Sequence, residues 1–221
     1  MSLTDWIILI TELIGTIAFS LSGGLTAIER RLDFFGITVL SIFTAVGGGL
    51  IRDLILGNTP PVMFRNPLYV AVAFVSSLLL ILFSPFFLRT CYSKKKSIVM
   101  HGIHIFDAVG LGVFTVTGMN TAFSLGYDSL FLAAFVGVTT GVGGGVLRDV
   151  LAGRTPQLLR RDIYAVAAIA GALSLPLFEL FLPRAAAMLA SASIIVAIRL
   201  IALHRRWNLP VLSPEQQKKT R

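Results

Sequence analysis

GGGLIRDLILGNTP, residues 47–60, sets three glycines and then Arg52 and Asp53 in a run that otherwise reads as lipid-soluble helix; GGGVLRDVLAGRTP, residues 143–156, does so again. Glycine weakens a helix and charge is costly in hydrocarbon, so the repeated combination asks for a reason. With an offset of 96, Gly47, Gly48, Gly49, Arg52, Asp53, Gly57, Thr59 and Pro60 fall on Gly143, Gly144, Gly145, Arg148, Asp149, Gly153, Thr155 and Pro156. Dropping one residue after the proline aligns Arg65 with Arg160 and Tyr69 with Tyr164. Upstream, an offset of 95 places Glu12, Gly15, Phe19, Ser22 and Gly23 on Asp107, Gly110, Phe114, Thr117 and Gly118. Compositional bias aligns leucines; it does not align an acid, a glycine triplet, an Arg-Asp pair and a Thr-Pro at one spacing.

The remainder of the chain says what solvent these motifs occupy. Of 221 residues, 55% are hydrophobic and 14% charged, against about 25% charged in a soluble domain. The mean hydropathy is +0.83. Such a chain lacks the polar surface to cover a globule, and a bilayer is its natural solvent. Seven apolar segments are expected, at about 5–28, 34–56, 67–89, 98–122, 129–152, 162–182 and 184–204. Residues 1–205 form one transmembrane domain: repeat one at about 5–90, repeat two at about 98–182 and a seventh helix at about 184–204. Residues 206–221 read as a basic, unstructured cytoplasmic tail. The opening MSLTDW carries an acid and no Lys or Arg, so the first apolar run is expected to be a retained helix and not a signal peptide.

The net charge of +8 sits in short connections. Arg30, Arg31, Arg89, Lys94, Lys95, Lys96, Arg154, Arg160, Arg161, Arg205, Arg206, Lys218, Lys219 and Arg221 share one side of a seven-crossing arrangement; Arg65 and Arg184 share the other. The positive-inside rule then places the N-terminus outside and the C-terminus in the cytoplasm. It accounts for the basic pI better than nucleic-acid binding, which requires a basic face on a soluble domain. The lone Cys91 excludes an internal disulfide and a cysteine metal cluster.

Three crossings per repeat, an odd number, turn the second copy upside down. The expected fold is therefore an all-α integral membrane protein of two inverted three-helix repeats plus a seventh helix. Inverted repeats with interrupted helices at their interface belong to transport proteins. Gly47, Gly48 and Gly49, and Gly143, Gly144 and Gly145, are the expected points of a kink or break. Gly137, Gly141 and Gly145, matched by Ser41, Ala45 and Gly49, form small-residue stripes that equally suit close helix packing.

Arg52, Asp53, Arg148 and Asp149 are candidate pore or gating charges, one pair on each side of a central constriction. Neighbours on a helix point about 100° apart, so each Arg is expected to seek a partner other than its adjacent Asp. Glu12 and Asp107, the matched buried acids, are the candidate partners. Glu179 and Arg199 are a further candidate pair. His101, His104 and Asp107 share one helical face, a pattern that suits a metal, though interfacial histidine is the simpler reading. No G-x-S-x-G, phosphate loop or HExxH is present, so neither an enzyme nor a cofactor is expected.

The doubled GGGxxRD motif, at Gly47–Asp53 and Gly143–Asp149, in seven segments with two three-helix repeats, resembles the bacterial branch of the TRIC family, the trimeric intracellular cation channels. The same group has been described as glycine transporters and as an uncharacterised membrane family. The resemblance covers about residues 5–205. It implies a homotrimer in the bacterial inner membrane, surrounded by lipid, with one pore per protomer between the repeats. The second and fifth helices would line that pore and kink at glycines 47–49 and 143–145, passing monovalent cations, chiefly potassium. Arg52 and Arg148 would be its gating or lining charges. Animal members carry lysine-rich motifs and a phosphoinositide site; this chain carries GGGxxRD, so lipid recognition and calcium-store physiology are not implied. Zwitterionic glycine would also suit a broken helix, whose amides favour a carboxylate and whose carbonyls favour an ammonium.

Overall fold

A computed structural model describes residues 3–83, 96–160 and 163–205. The basic residues Arg89, Lys94, Lys95 and Arg161, Cys91 and the tail from Arg206 lie outside the described residues. The helices are α1 (Leu3–Glu29), α2 (Phe34–Ile55), α3 (Val62–Arg65), α4 (Leu68–Leu82), α5 (Lys96–Ser124), α6 (Leu130–Leu151), α7 (Gln157–Arg160), α8 (Ile163–Glu179) and α9 (Arg184–Arg205). All seven expected segments are helical, with boundaries within a few residues, except that the third ends at Leu82 among the described residues. The one-turn helices α3 and α7 were not expected.

Among the described residues, five helices are long and apolar enough to cross a bilayer: α1, α2, residues Val99–Ser124 of α5, α6 and α9. The apolar helices α4 and α8 have 15 and 17 residues. At 1.5 Å per residue they reach about 23 and 26 Å, short of a hydrocarbon core of about 30 Å. Asp33 starts α2 by accepting a hydrogen bond from the Gly36 amide at 2.7 Å, and Ser129 starts α6 by accepting from Leu132 at 3.3 Å.

Both motif helices end in the same way. Gly57 and Gly153 take φ of +65° and +64°, a conformation glycine enters without penalty. Asn58 then donates to the Asp53 carbonyl at 2.8 Å and Arg154 to the Asp149 carbonyl at 2.7 Å. Each chain reverses there and starts its one-turn helix.

The core is built on reciprocal contacts between repeat-equivalent residues. Phe19 of α1 lies over Gly110 of α5, where a side chain would overlap its ring; Phe114 of α5 lies within 3.3 Å of where a Gly15 Cβ would stand. The two rings meet at 5.2 Å between centroids. Between α2 and α6, a Cβ on Gly48 would overlap the Thr140 carbonyl oxygen, and one on Gly144 would overlap the Thr44 carbonyl oxygen. Residue i touches j while the equivalent of i touches the equivalent of j, the pattern a two-fold relation produces. The Thr44 and Thr140 hydroxyls donate to the carbonyls of Leu40 and Val136, each at 2.6 Å, so their polar groups are satisfied inside the crossing.

These contacts revise the reading of the glycines. Helices α2 and α6 run without a break through Gly47–Gly49 and Gly143–Gly145. The glycines let two backbones touch. Gly48 and Gly144 meet carbonyl oxygens, Gly47 receives the Leu147 side chain, and Gly145 leaves room for Tyr164. The lost helix propensity is offset by a contact no larger residue permits.

Helix α9 stands outside the reciprocal pattern. A Cβ on Gly171 of α8 would overlap the Ile195 side chain, and one on Gly112 of α5 would lie 2.8 Å from the Ala192 carbonyl. α9 thus packs chiefly on repeat two, with a smaller contact to α1.

Candidate functional site

The motif arginines pair with their own neighbours, contrary to expectation. Arg52 Nε donates to Asp53 Oδ1 at 2.9 Å, and its Nη2 lies 2.8 Å from the same oxygen. Arg148 Nε donates to Asp149 Oδ1 at 3.0 Å, with Nη2 also at 3.0 Å. The Cα–Cβ directions do diverge, but a guanidinium on three methylenes folds back to reach the next residue. The second oxygen of each Asp has a separate task. Asp53 Oδ2 accepts from the Val62 amide at 2.8 Å, and Asp149 Oδ2 accepts from the Gln157 amide at 2.8 Å. Each carboxylate therefore joins the end of a long helix to the start of the one-turn helix beyond it. It also satisfies an amide with no intrahelical partner.

Beyond this shared unit the two repeats differ. In repeat two, Arg148 Nη1 donates to Asp107 Oδ1 at 2.6 Å and to Ser22 Oγ at 2.7 Å. Tyr164 donates to the same Asp107 oxygen at 3.3 Å, and Arg199 Nη2 approaches Oδ2 at 3.5 Å. The Arg199 guanidinium lies over the Tyr164 ring, 4.4 Å from its centroid. Arg148 and Asp107 are fully buried. Two acids, Asp107 and Asp149, meet two arginines, Arg148 and Arg199, so the cluster is formally neutral. Buried charges persist when each is paired and hydrogen-bonded. Asp107 is thus held by arginines, and among the described residues no three His, Cys, Asp or Glu side chains gather as a metal site.

The expected Glu179–Arg199 pair does not form. Glu179, at the end of α8, lies 3.9 Å from Arg184 instead. Arg199 sits near the far end of α9, four turns from Arg184, and turns inward to Asp107.

In repeat one, Glu12 takes its hydrogen bond from the Tyr69 hydroxyl. Arg52 is 8% exposed and lines a cavity of 130 Å³, together with Glu12, Thr16, Gly49, Asp53, Tyr69 and Phe114 among others. The sealed cluster of repeat two thus has an open counterpart. Arg52 and Arg148 do not occupy equivalent surroundings, although their motifs match residue for residue.

The structure brings together Glu12, Gly49, Arg52 and Asp53 in one site and Asp107, Gly145, Arg148 and Asp149 in another, with Gly47, Gly48, Gly143 and Gly144 at the helix crossing between them. Sequence reasoning gave no role to Tyr69, Tyr164 or Ser22, and it paired Arg199 with Glu179 rather than with Asp107. The alignment of Tyr69 with Tyr164 was the available signal. Each tyrosine supplies the hydroxyl that meets the matched acid of its own repeat.

Comparison with known proteins agrees with the doubled motif. The family model described as "Glycine transporter" matches residues 9–85 and again residues 104–179. The UPF0126 inner membrane protein YadS of Escherichia coli K12 is 38% identical over 200 residues, covering 90% of this chain and 91% of YadS. The solved TRIC trimeric intracellular cation channel orthologue from Rhodobacter sphaeroides superposes with a TM-score of 0.80 at 32% identity, covering 91% of this chain and 99% of the other. A prokaryotic TRIC channel solved in 0.5 M KCl superposes with a TM-score of 0.83 at 28% identity, covering 93% and 100%. The chain belongs to the TRIC/UPF0126 family, whose family model carries the glycine-transporter description.

Proposed function

We propose that this chain is a membrane channel for monovalent cations, chiefly potassium, working as a homotrimer in the bacterial inner membrane with one pore in each protomer. The observation that carries the reading is the charged cavity beside the α2–α6 crossing, in a chain whose solved relatives are described as cation channels. The path runs between the two repeats, which we place in the membrane in opposite orientations, across seven helices. The glycine-tight crossing of α2 and α6 is its constriction. Arg52 would repel a cation by itself. Asp53 neutralises it at 2.8 Å and Glu12 adds a second acid, so the wall favours a positive ion. On the other side, the Arg148–Asp107–Arg199 cluster closes the equivalent route. Flux requires that cluster to loosen.

Transport of glycine is the second reading. It is favoured by the family description and by a cavity wall holding both a guanidinium and carboxylates, which suits a zwitterion. Purified protein in planar bilayers with potassium gradients, and labelled-glycine uptake into proteoliposomes from the same preparation, separates the two. Unitary potassium currents without saturable uptake are expected. Saturable uptake without unitary current would replace the channel reading with the transporter one.

A further inference from the structure

We propose that the repeat-one cavity is a binding site for a small monovalent positive group, an alkali cation or the ammonium of a small amino acid, held by a formal charge its own wall leaves uncompensated. The inference deepens the functional reading above and rests on it.

Repeat two shows what a compensated site looks like. Asp107 and Asp149 face Arg148 and Arg199. The fourth member comes from α9, which stands outside the repeats. Repeat one has the equivalent acids, Glu12 and Asp53, and the equivalent arginine, Arg52. Among the described residues, the cavity wall has no counterpart of Arg199. Two carboxylates against one guanidinium leave a formal charge of minus one. In a membrane interior such a charge calls for a counter-charge.

The cavity is built to receive one. Its 130 Å³ lies directly against Glu12. A water takes about 30 Å³ of liquid volume, so the space suits an ion with a few waters or a molecule of glycine's size. Thr16 and Thr121 also line it, and their hydroxyl protons go to the carbonyls of Glu12 and Thr117 at 2.8 and 2.9 Å. Their oxygens are left as acceptors. Tyr69 likewise donates its proton to Glu12. Acceptor oxygens of Glu12, Thr16, Tyr69 and Thr121, in a largely apolar wall whose one guanidinium, Arg52, is already paired with Asp53, are the chemistry an alkali ion or an ammonium recognises.

The test is thermal unfolding of the purified full-length protein in lipid nanodiscs. Potassium chloride is titrated against N-methyl-D-glucamine chloride at constant ionic strength, and glycine is titrated separately in the N-methyl-D-glucamine buffer. The wild type is expected to show a saturable rise in Tm with potassium, lost in E12Q and kept in D128N, which removes an exposed acid elsewhere. A rise with glycine, lost in E12Q, assigns the ammonium source instead. No rise with either probe overturns the proposal, as does a potassium rise unchanged in E12Q. A Tm that increases as pH falls, with no response to potassium or glycine, assigns the counter-charge to a proton and also overturns it. Should E12Q fail to fold, E12D withdraws the carboxylate by one methylene and should raise the half-saturating concentration; an unchanged value overturns the site. Binding at Glu12 without potassium current in bilayers sinks the channel reading and leaves the site standing. Potassium current together with an unaltered E12Q titration does the reverse.

Discussion

Arg52 and Arg148 occupy the same place in the same motif, yet one lines a cavity and the other is enclosed by protein. Removing each should therefore have unequal consequences. R148Q leaves Asp107 and Asp149 buried beside a neutral amide, and breaking a buried pair in this way costs about 3–5 kcal/mol. R52Q leaves its acids against a cavity that water or a cation can enter, so its cost should be well under half of that. Thermal unfolding of the two variants in the same lipid checks the ranking; equal destabilisation would remove the open-versus-sealed distinction. Accessibility supplies a second check. In a Cys91→Ser background, T121C on the cavity wall should react with a charged thiol reagent, whereas S22C, beside the buried Arg148, should stay inert. The chemistry of this site was legible in the sequence, since charge inside apolar segments is rare enough to single out Glu12, Arg52, Asp107 and Arg148. The pairing was not. Whether an arginine turns to its neighbour, to another helix or to both depends on which helices lie within reach of a flexible side chain. Arg199 shows this most plainly, because its partner sits 92 residues away on α5.

At the scale of helices, the glycine triplets show how one sequence signal serves two structural ends. A helix break and a close crossing both demand residues without side chains. Sequence inspection put a kink or break first and close packing second, and only the neighbouring helix shows the close packing. In the structure, the individual glycines differ sharply. G48A and G144A each place a Cβ against a backbone carbonyl oxygen, which cannot rotate away. Each should destabilise by about 1–3 kcal/mol, in the range of overpacked cores, and reduce flux. G49A should be tolerated or mildly stabilising, since the nearest atom to its Cβ is the flexible end of Arg52 at 3.8 Å and alanine gains up to ~1 kcal/mol of helix propensity over glycine. Unfolding midpoints for the three variants decide the matter, and similar losses in all three would return the argument to backbone flexibility. The long helices were legible because their apolar runs are long and their ends carry Asp33, Ser129, Gly57 and Gly153. The one-turn helices α3 and α7 were not, because four residues show no periodicity. Their cue was the acid eight or nine positions upstream, Asp53 or Asp149, which meets the first amide across the turn.

For the molecule as a whole, two ends can be recognised by contacts. At one end, Glu29 pairs with Arg154, and Arg30 donates to the Gly153 carbonyl at 3.3 Å. At the other, Tyr127 donates to the Leu56 carbonyl at 3.0 Å, and Arg184 donates to Asn120 at 2.6 Å. The first end gathers the connections after α1 and α6, and the second those after α2 and α5. This is the alternation that successive crossings produce. Apolar side chains such as Phe131, Leu82 and Leu180 project from the surface, more than two-thirds exposed, and suit lipid or a neighbouring protomer. The number of crossings turns on α4 and α8, at about 23 and 26 Å. A bilayer accommodates a short span by thinning locally at modest cost. With the N-terminus outside, as the distribution of basic residues leads us to propose, the connection between α4 and α5 lies on the cytoplasmic side with Arg30 and Arg154 if α4 crosses, and stays outside with Arg65 if it does not. The chain's own cysteine reports on this, since Cys91 falls in that connection. A membrane-impermeant thiol reagent should leave Cys91 unlabelled in intact cells and label it in inverted vesicles. Labelling of intact cells would leave repeat one with two crossings, remove the inversion of repeat two, and place Arg52 and Arg148 at the same face of the membrane rather than on opposite sides of the glycine crossing.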